Sequence, residues 1–179
     1  MITVKNKTVT DERFPEMRLR MIDVADIEDL REWKNANKGS FFLRQDITSE
    51  QQGEWYAKFR EQEDNFMFVV EQLLGQQWEK IGCMGFRYLP DENCVDGYNI
   101  IRSRKIGDAS FSMSDAFRTM LAHADSVYPD MPLRVKVLSE NPAVAWYERN
   151  GFTTIGARDG YYLMEVDKQQ LEDVNLAVE

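Results

Sequence analysis

Apolar and polar positions change their spacing several times along the chain, and each change marks an element. Met17-Arg-Leu-Arg-Met21 alternates strictly, which predicts a strand with one buried face. Asp23 then stands where a helix cap accepts backbone N–H groups. Behind it Val24, Ile27, Leu30 and Trp33 predict a core-facing helical stripe, broken by Gly39. Thr48-Ser-Glu-Gln51 has the form of a capping box and opens a second helix with Trp55, Tyr56 and Phe59 on one side. From Phe66 the pattern becomes a continuous apolar run of strand length, 66–70. Segments 81–89 and 95–102 read as the next two strands, and short turns make the three an antiparallel meander.

A helix over 112–127 follows, with Phe117, Met120 and Leu121 as core positions. A strand over 133–138 and a helix over 141–150 come next, the latter stopped by Asn150-Gly151 in left-handed fashion. Segments 152–155 and 161–166 flank Asp159-Gly160, a strong hairpin signal. The order β-αα-βββ-α-β-α-ββ predicts a mixed α/β class on one sheet. Its length predicts a single domain over 1–179, with 1–15 as a loose polar arm and 168–179 as a tail or short helix.

Composition narrows the function. Hydrophobic residues make up 43% and aromatics 12%, as in ordinary globular domains, which argues against disorder as the main state. The formal net charge of −9 opposes binding to nucleic acid, while leaving room for a local basic cluster that holds a small anion. No stretch approaches the ~20 apolar residues of a membrane span, and the start of the chain has no signal-peptide run. The expectation is a cytoplasmic protein with reduced Cys83 and Cys94 and no membrane partner. One histidine, His123, and two scattered cysteines make neither a zinc site nor a nucleophile dyad, so no metal is expected. His123 itself reads as structural or exposed.

Two segments carry candidate chemistry. Arg102-Ser-Arg104-Lys105-Ile106-Gly107-Asp108-Ala109 lies between a predicted strand and a predicted helix. Such a loop aims backbone N–H groups at an anion, with the helix dipole behind them, and Gly107 lets a ligand approach the backbone. It lacks the Walker ending and the dinucleotide glycine spacing. The second segment is Asn141-Pro142, then Ala145-Trp146-Tyr147-Glu-Arg-Asn-Gly151-Phe152. Asn141 and Pro142 are good helix-start residues, and a tyrosine facing a cleft can give a proton to a leaving thiolate. Core packing is the alternative for each aromatic of this helix.

Together the segments resemble the GCN5-related N-acetyltransferases, the GNAT superfamily. Arg104-x-x-Gly107-x-Ala109 is similar to that family's pyrophosphate loop, and Asn141…Tyr147-Glu-Arg-Asn-Gly151-Phe152 to its second signature. The element order agrees over roughly residues 17–166. The resemblance implies a GNAT-like fold: a mostly antiparallel central sheet with a parallel splay, flanked by helices. It implies acetyl transfer from acetyl-CoA, as cosubstrate, to the primary amine of a small molecule. Backbone groups at Ile100, Ile101 and Arg102 would pair with the pantetheine arm. The loop Arg104, Lys105, Ile106, Gly107, Asp108 and Ala109 would hold the pyrophosphate. Asn141 would bind the arm or a water, and Tyr147 would protonate the sulfur. The chain departs from the family after Ala109, where Ser110-Phe-Ser-Met-Ser-Asp115 replaces the usual small and aliphatic helix opening. Asp108 also adds negative charge to the loop.

The general base is left open among Asp96, Glu140 and Glu71, with a water chain as the alternative. For the acceptor side, Trp33, Phe41, Phe42 and Arg44 are candidates to stack on a base or sugar and meet a phosphate. This stretch is similar to GNATs acting on nucleotide-linked amino sugars and, less closely, to those acting on ribosomal-protein N-termini. Helix packing is the alternative role for these aromatics. A peptide N-terminal acetyltransferase, or a non-catalytic CoA-binding or protein-interaction module, are the competing functions. Either a monomer or a homodimer is compatible with the sequence.

Overall fold

The computed structural model describes residues 7–41, 45–104, 106, 107 and 109–179. Among these, nine strands form one sheet and four α-helices pack against it. The strands are β1 (Thr8–Asp11), β2 (Met17–Met21), β3 (Asn65–Leu74), β4 (Gln77–Leu89), β5 (Cys94–Arg102), β6 (Leu133–Leu138), β7 (Phe152–Arg158), β8 (Tyr161–Val166) and β9 (Leu176–Val178). The helices are α1 (Ile27–Ala36), α2 (Ser49–Glu61), α3 (Met113–Val127) and α4 (Ala143–Arg149). The sheet order is β7-β8-β6-β5-β4-β3-β2-β1-β9. Every pairing is antiparallel except that of β5 with β6.

The local signals work as their chemistry requires. Thr48 Oγ1 accepts from the Gln51 N–H at 3.1 Å, while Gln51 Oε1 accepts from the Thr48 N–H at 3.0 Å. Asp159 (φ 49°) and Gly160 (φ 85°) take the left-handed conformation of a two-residue hairpin between β7 and β8. Gly151 ends α4 at φ 86°.

Three expectations are corrected. Part of the segment expected as a loose arm forms β1, and part of the expected tail forms β9. The two pair with each other, Val9 opposite Val178, so chain ends distant in sequence close one edge of the sheet. Val9 is fully buried there. Asp23 does not cap α1 directly. It caps a 3₁₀ turn, Val24–Asp26, whose tighter pitch turns Val24 outward at 68% exposure. Strand β7 runs to Arg158, three residues beyond the expected end.

The sheet separates two layers. On one face α3 and α4 close over Phe66, Phe68 and Phe86. The ring of His123 on α3 meets all three edge-on, with centroids at 6.1, 6.0 and 5.7 Å. Phe117, fully buried, stacks on Trp146 at 5.0 Å and on Phe152 at 5.7 Å, which fastens α4 to α3. On the other face α1 and α2 pack against each other and over β4 and β5. Here Leu30 and Phe59 are buried, and Trp55 stacks on Phe59 at 5.2 Å.

Candidate active site

The parallel pairing of β5 with β6 is short. It joins Val95 to Leu133, Asp96 to Arg134 and Gly97 to Val135, and goes no further. Beyond that point β5 continues to Arg102 and β6 to Leu138, so the strands diverge. A bulge helps to open them. Gly85 opposes Tyr98 and Cys83 opposes Ile101, so two residues of β5 stand opposite Met84. One of them, Asn99, has φ 51°. The backbone edge of residues 98–102 that faces β6 has no ladder partner. A cleft of about 880 Å³ fills the divergence. Its walls come from β5, β6, the start of α4 and the end of α1.

Tyr147 of α4 lines this cleft and is 8% exposed. Its ring lies across Phe117 at 5.8 Å, Trp146 at 5.2 Å and Phe152 at 5.6 Å, which leaves the hydroxyl end for the cleft. Burial, then the charge of Asp96, push its phenol above the usual tyrosine range, so it stays protonated at neutral pH. Asp96 lies at the closed end of the divergence, 3% exposed. Arg87 donates to its Oδ2 at 3.1 Å. Burial raises the Asp96 carboxyl, and the Arg87 guanidinium only partly opposes it. The same guanidinium lies 4.4 Å from the centre of the Tyr98 ring, whose hydroxyl donates to Asn65 Oδ1. Asn141 lines the cleft mouth. Its Oδ1 accepts from the Ala143 N–H at 2.9 Å, as a helix-opening side chain does, and its Nδ2 reaches Ser40 O at 3.4 Å.

No family model matches this chain and no curated protein does. Solved structures do. The apo form of FdhC, described as a nucleotide-linked sugar GNAT, superposes with TM-score 0.72 at 13% identity, over 89% of this chain and 91% of its own. Spermidine N-acetyltransferase from Vibrio cholerae, in complex with CoA and spermine, gives TM-score 0.70 at 20% identity, over 87% and 98%. The chain has the GNAT fold. A domain from Methanocaldococcus jannaschii gives TM-score 0.67 at 15% identity, over 84% of this chain and 97% of its own. At such identities the likeness is one of fold, and the site has to be read from this chain's residues.

Within this GNAT fold the expected site residues divide into four groups. Tyr147, Asp96, Ile100, Ile101, Arg102, Asn141 and Phe41 all line the cleft. The loop Arg104, Ile106, Gly107 and Ala109 lies beyond it, and three donor residues in and beside it, Arg104, Gly107 and Ser110, are engaged within the chain. The Gly107 N–H donates to Gln72 Oε1 at 3.2 Å. The Ser110 N–H and hydroxyl both donate to Glu16 Oε1, the N–H at 2.9 Å. Arg104 pairs with Glu79 at 2.7 Å and donates to Lys80 O. Nothing among the described residues requires glycine at 107, since a Cβ there would meet its nearest neighbours at 3.8 Å. The opening after Ala109 forms a capping box. Asp115 N–H donates to Ser112 Oγ and Asp115 Oδ2 accepts from Ser112 N–H, so α3 begins at Met113.

The third group is placed elsewhere. Glu140 is exposed in the turn after β6 and does not line the cleft. Glu71 is buried on β3 between Arg18 and Arg20, at 2.5 and 3.2 Å, so it is an ion-pair centre and not a solvated carboxylate. Trp33 is half-buried and packs against the core. The fourth group, Lys105, Asp108, Phe42 and Arg44, lies outside the described residues.

Sequence reasoning missed several residues that the fold brings to the site. A smaller cavity of about 300 Å³ opens beside the cleft between α1, α2, β4 and β5. It shares Lys34, Trp55, Asn99 and Ile101 with the cleft and adds Leu30, Gln52 and Cys83. Only the apolar stripe of α1 hinted that its remaining side would face something else. Cys83 donates to Asn99 O at 3.3 Å, and burial pushes its thiol up to about 12, so it is not a ready nucleophile. Among the described residues no group of three or more His, Cys, Asp or Glu is arranged to hold a metal ion. Among them too, no helix is long and apolar enough to cross a membrane.

Proposed function

We propose that the protein is an N-acetyltransferase that moves an acetyl group from acetyl-CoA to the primary amine of a small molecule. The observation that carries this reading is the opening between β5 and β6 with Tyr147 and Asp96 in one cleft. The free backbone edge of residues 98–102 offers the pantetheine arm hydrogen bonds like those of a missing strand. Gly107, with no internal need for glycine, leaves room for the diphosphate against the loop.

The amine nitrogen attacks the thioester carbonyl carbon. The N–C bond forms and the C–S bond breaks. The proton released from the amine passes to Asp96, directly or through one water, and Tyr147 gives its phenolic proton to the departing sulfur. A buried carboxyl with a raised pKa suits a base, and a tyrosine held protonated suits a donor. A nucleotide-linked amino sugar is the acceptor we favour among small amines, because Phe41 and Trp55 both line the cleft and offer it ring surface. Supporting structures of the same fold act on a nucleotide-linked sugar and on spermidine.

A second reading draws on one observation. The loop donors at Gly107 and Ser110 are already satisfied by Gln72 and Glu16, which suits a module that does not turn over. Calorimetric titration with acetyl-CoA, with Tyr147→Phe alongside, separates the two. The enzyme reading expects binding, a stabilisation of about 2.7 kcal/mol at a hundredfold excess over Kd, and a Tyr147→Phe variant that binds equally but turns over about a hundredfold more slowly. Absence of binding by a folded sample overturns it. Binding with turnover indifferent to Tyr147 assigns the proton elsewhere.

A further inference from the structure

The cavity between α1 and α2 has a charge pattern that restricts what can sit in it. Four cations line the cleft and cavity among the described residues: Lys34, Arg87, Arg102 and Lys136. Arg87 is held by Asp96 at 3.1 Å and Lys136 by Glu92 at 2.7 Å. Arg102 stands at the far end of β5, beside the loop that leads to α3. Lys34 is different. It belongs to α1, on the acceptor side of the sheet, and borders both the cleft and the smaller cavity. No carboxylate among the described residues pairs with it. Its ammonium rests 5.2 Å from the centre of the Phe41 ring. Burial, with some help from Arg87, moves it below the ordinary lysine range. Among the described residues the smaller cavity has no carboxylate in its walls; beside Lys34 they are Leu30, Ile47, Trp55, Cys83, Ile101 and the amide-bearing Gln51, Gln52 and Asn99.

A half-desolvated ammonium without a counter-ion is costly to keep. We propose that the acceptor carries, besides its amine, an anionic group, a carboxylate or a phosphate, and that Lys34 receives it in the α1–α2 cavity. This rests on the acetyl-transfer reading for the identity of the site, and names the acceptor's class. A polycationic amine is disfavoured, because it would add positive charge beside Lys34 with no free carboxylate to meet it. The same positive charge helps the chemistry. It lowers the pKa of a neighbouring ammonium and so favours the neutral amine that attack requires. Trp55 and Leu30 then cover the apolar body of the acceptor, and Asn99 and Gln52 take its hydroxyl or amide groups.

The test uses matched probes. Glucosamine 6-phosphate is compared with glucosamine, and alanine with alaninamide, with spermidine as the polycation. Each is titrated calorimetrically against the full chain, against Lys34→Met and against Lys34→Arg, with melting curves to confirm that all three fold. The expected result is at least tenfold tighter binding of the anionic member in one of the two pairs. Lys34→Met abolishes that preference, and Lys34→Arg keeps much of it. Preference in the first pair assigns a phosphate, and in the second a carboxylate. Equal affinity within both pairs, no binding of either anionic probe, or preference for spermidine overturns the proposal. So does acetylation of Lys34 itself, found by mass spectrometry after incubation with acetyl-CoA. The probe titrations contain no CoA, so they report on Lys34 even if acetyl-CoA fails to bind and the acetyl-transfer reading falls.

Discussion

The two faces of the sheet are built to different ends. The α3–α4 face is filled: Phe66, Phe68, Phe86, Phe117 and Phe152 are all within 9% exposure, and the only histidine is closed in among them. The α1–α2 face is left hollow, with a cavity of about 300 Å³ bordered by Lys34, which no carboxylate among the described residues pairs with. Close packing of rings is what holds a core, and a hollow with a desolvated charge is what a binding site requires. The difference teaches where stability and function are separable in this chain. It also shows one place where they meet, because Phe117 both packs the core and holds Tyr147 against the cleft.

The sharpest way to break this contrast is to remove one aromatic from each face. Phe117→Ala leaves a large void under α4 and should cost about 3–5 kcal/mol of stability. It should also release Tyr147, so turnover falls in whatever fraction remains folded. Trp55→Ala, on the hollow face, should cost about 1 kcal/mol while raising the KM of the acceptor. Denaturant melts and steady-state kinetics check both. Similar stability losses on the two faces would remove the distinction.

The next effect is a pH dependence belonging to the filled face alone. Burial lowers the His123 pKa to about 4, from an ordinary value near 6.5, and the Lys7 charge adds to the shift. Its Nε2 has no partner among the described residues. Between these two values the unfolded chain binds a proton that the folded chain does not. Stability is therefore complete above pH 6.5 and falls as pH drops toward 4, by an amount on the order of 3 kcal/mol. His123→Leu should flatten that fall between pH 6.5 and 4. Urea melts at a series of pH values decide it, and an unchanged slope would place the proton uptake on other groups.

The same division governs what the sequence could reveal. The α4 side is written locally: Asn141, Pro142, Tyr147 and Gly151 lie within one helix and its stop, and their spacing gives the helix, while only the family resemblance singles out Tyr147 from the aromatics that could pack the core. Asp96 is legible as a carboxylate ahead of the divergence, although its raised pKa depends on burial by elements far along the chain. The α1–α2 cavity is assembled from α1, α2, β4 and β5. Lys34 sits among Glu32, Trp33 and Asn35, in a run that reads as an ordinary polar helix face. Nothing local says that α2 and the bulge at Asn99 will enclose it. The strands formed by the two ends of the chain escape the sequence for the same reason. Thr8–Asp11 becomes a strand only because residues 176–178 and 17–21 come to lie on either side of it.

The smallest effect concerns the loop before α3, where Glu16 stands between an enzyme and a closed scaffold. Its carboxylate accepts from both the N–H and the hydroxyl of Ser110, and those hydrogen bonds hold its pKa below the ordinary value. It is therefore an anion placed beside the loop that, in the acetyl-transfer reading, receives another anion. If both compete for the same donors, removing the first should strengthen binding of the second. Glu16→Ala should tighten CoA about three- to tenfold at low salt, the order expected for one charge at partly exposed range. The gain should shrink at high salt as screening weakens the repulsion. Pantetheine, which lacks the diphosphate, is the control, and its affinity should not change. Equal tightening of pantetheine would mean that Glu16 acts by restraining the strands. Weaker CoA binding in the variant would mean that the Glu16–Ser110 contact shapes the loop for its ligand and does not compete with it.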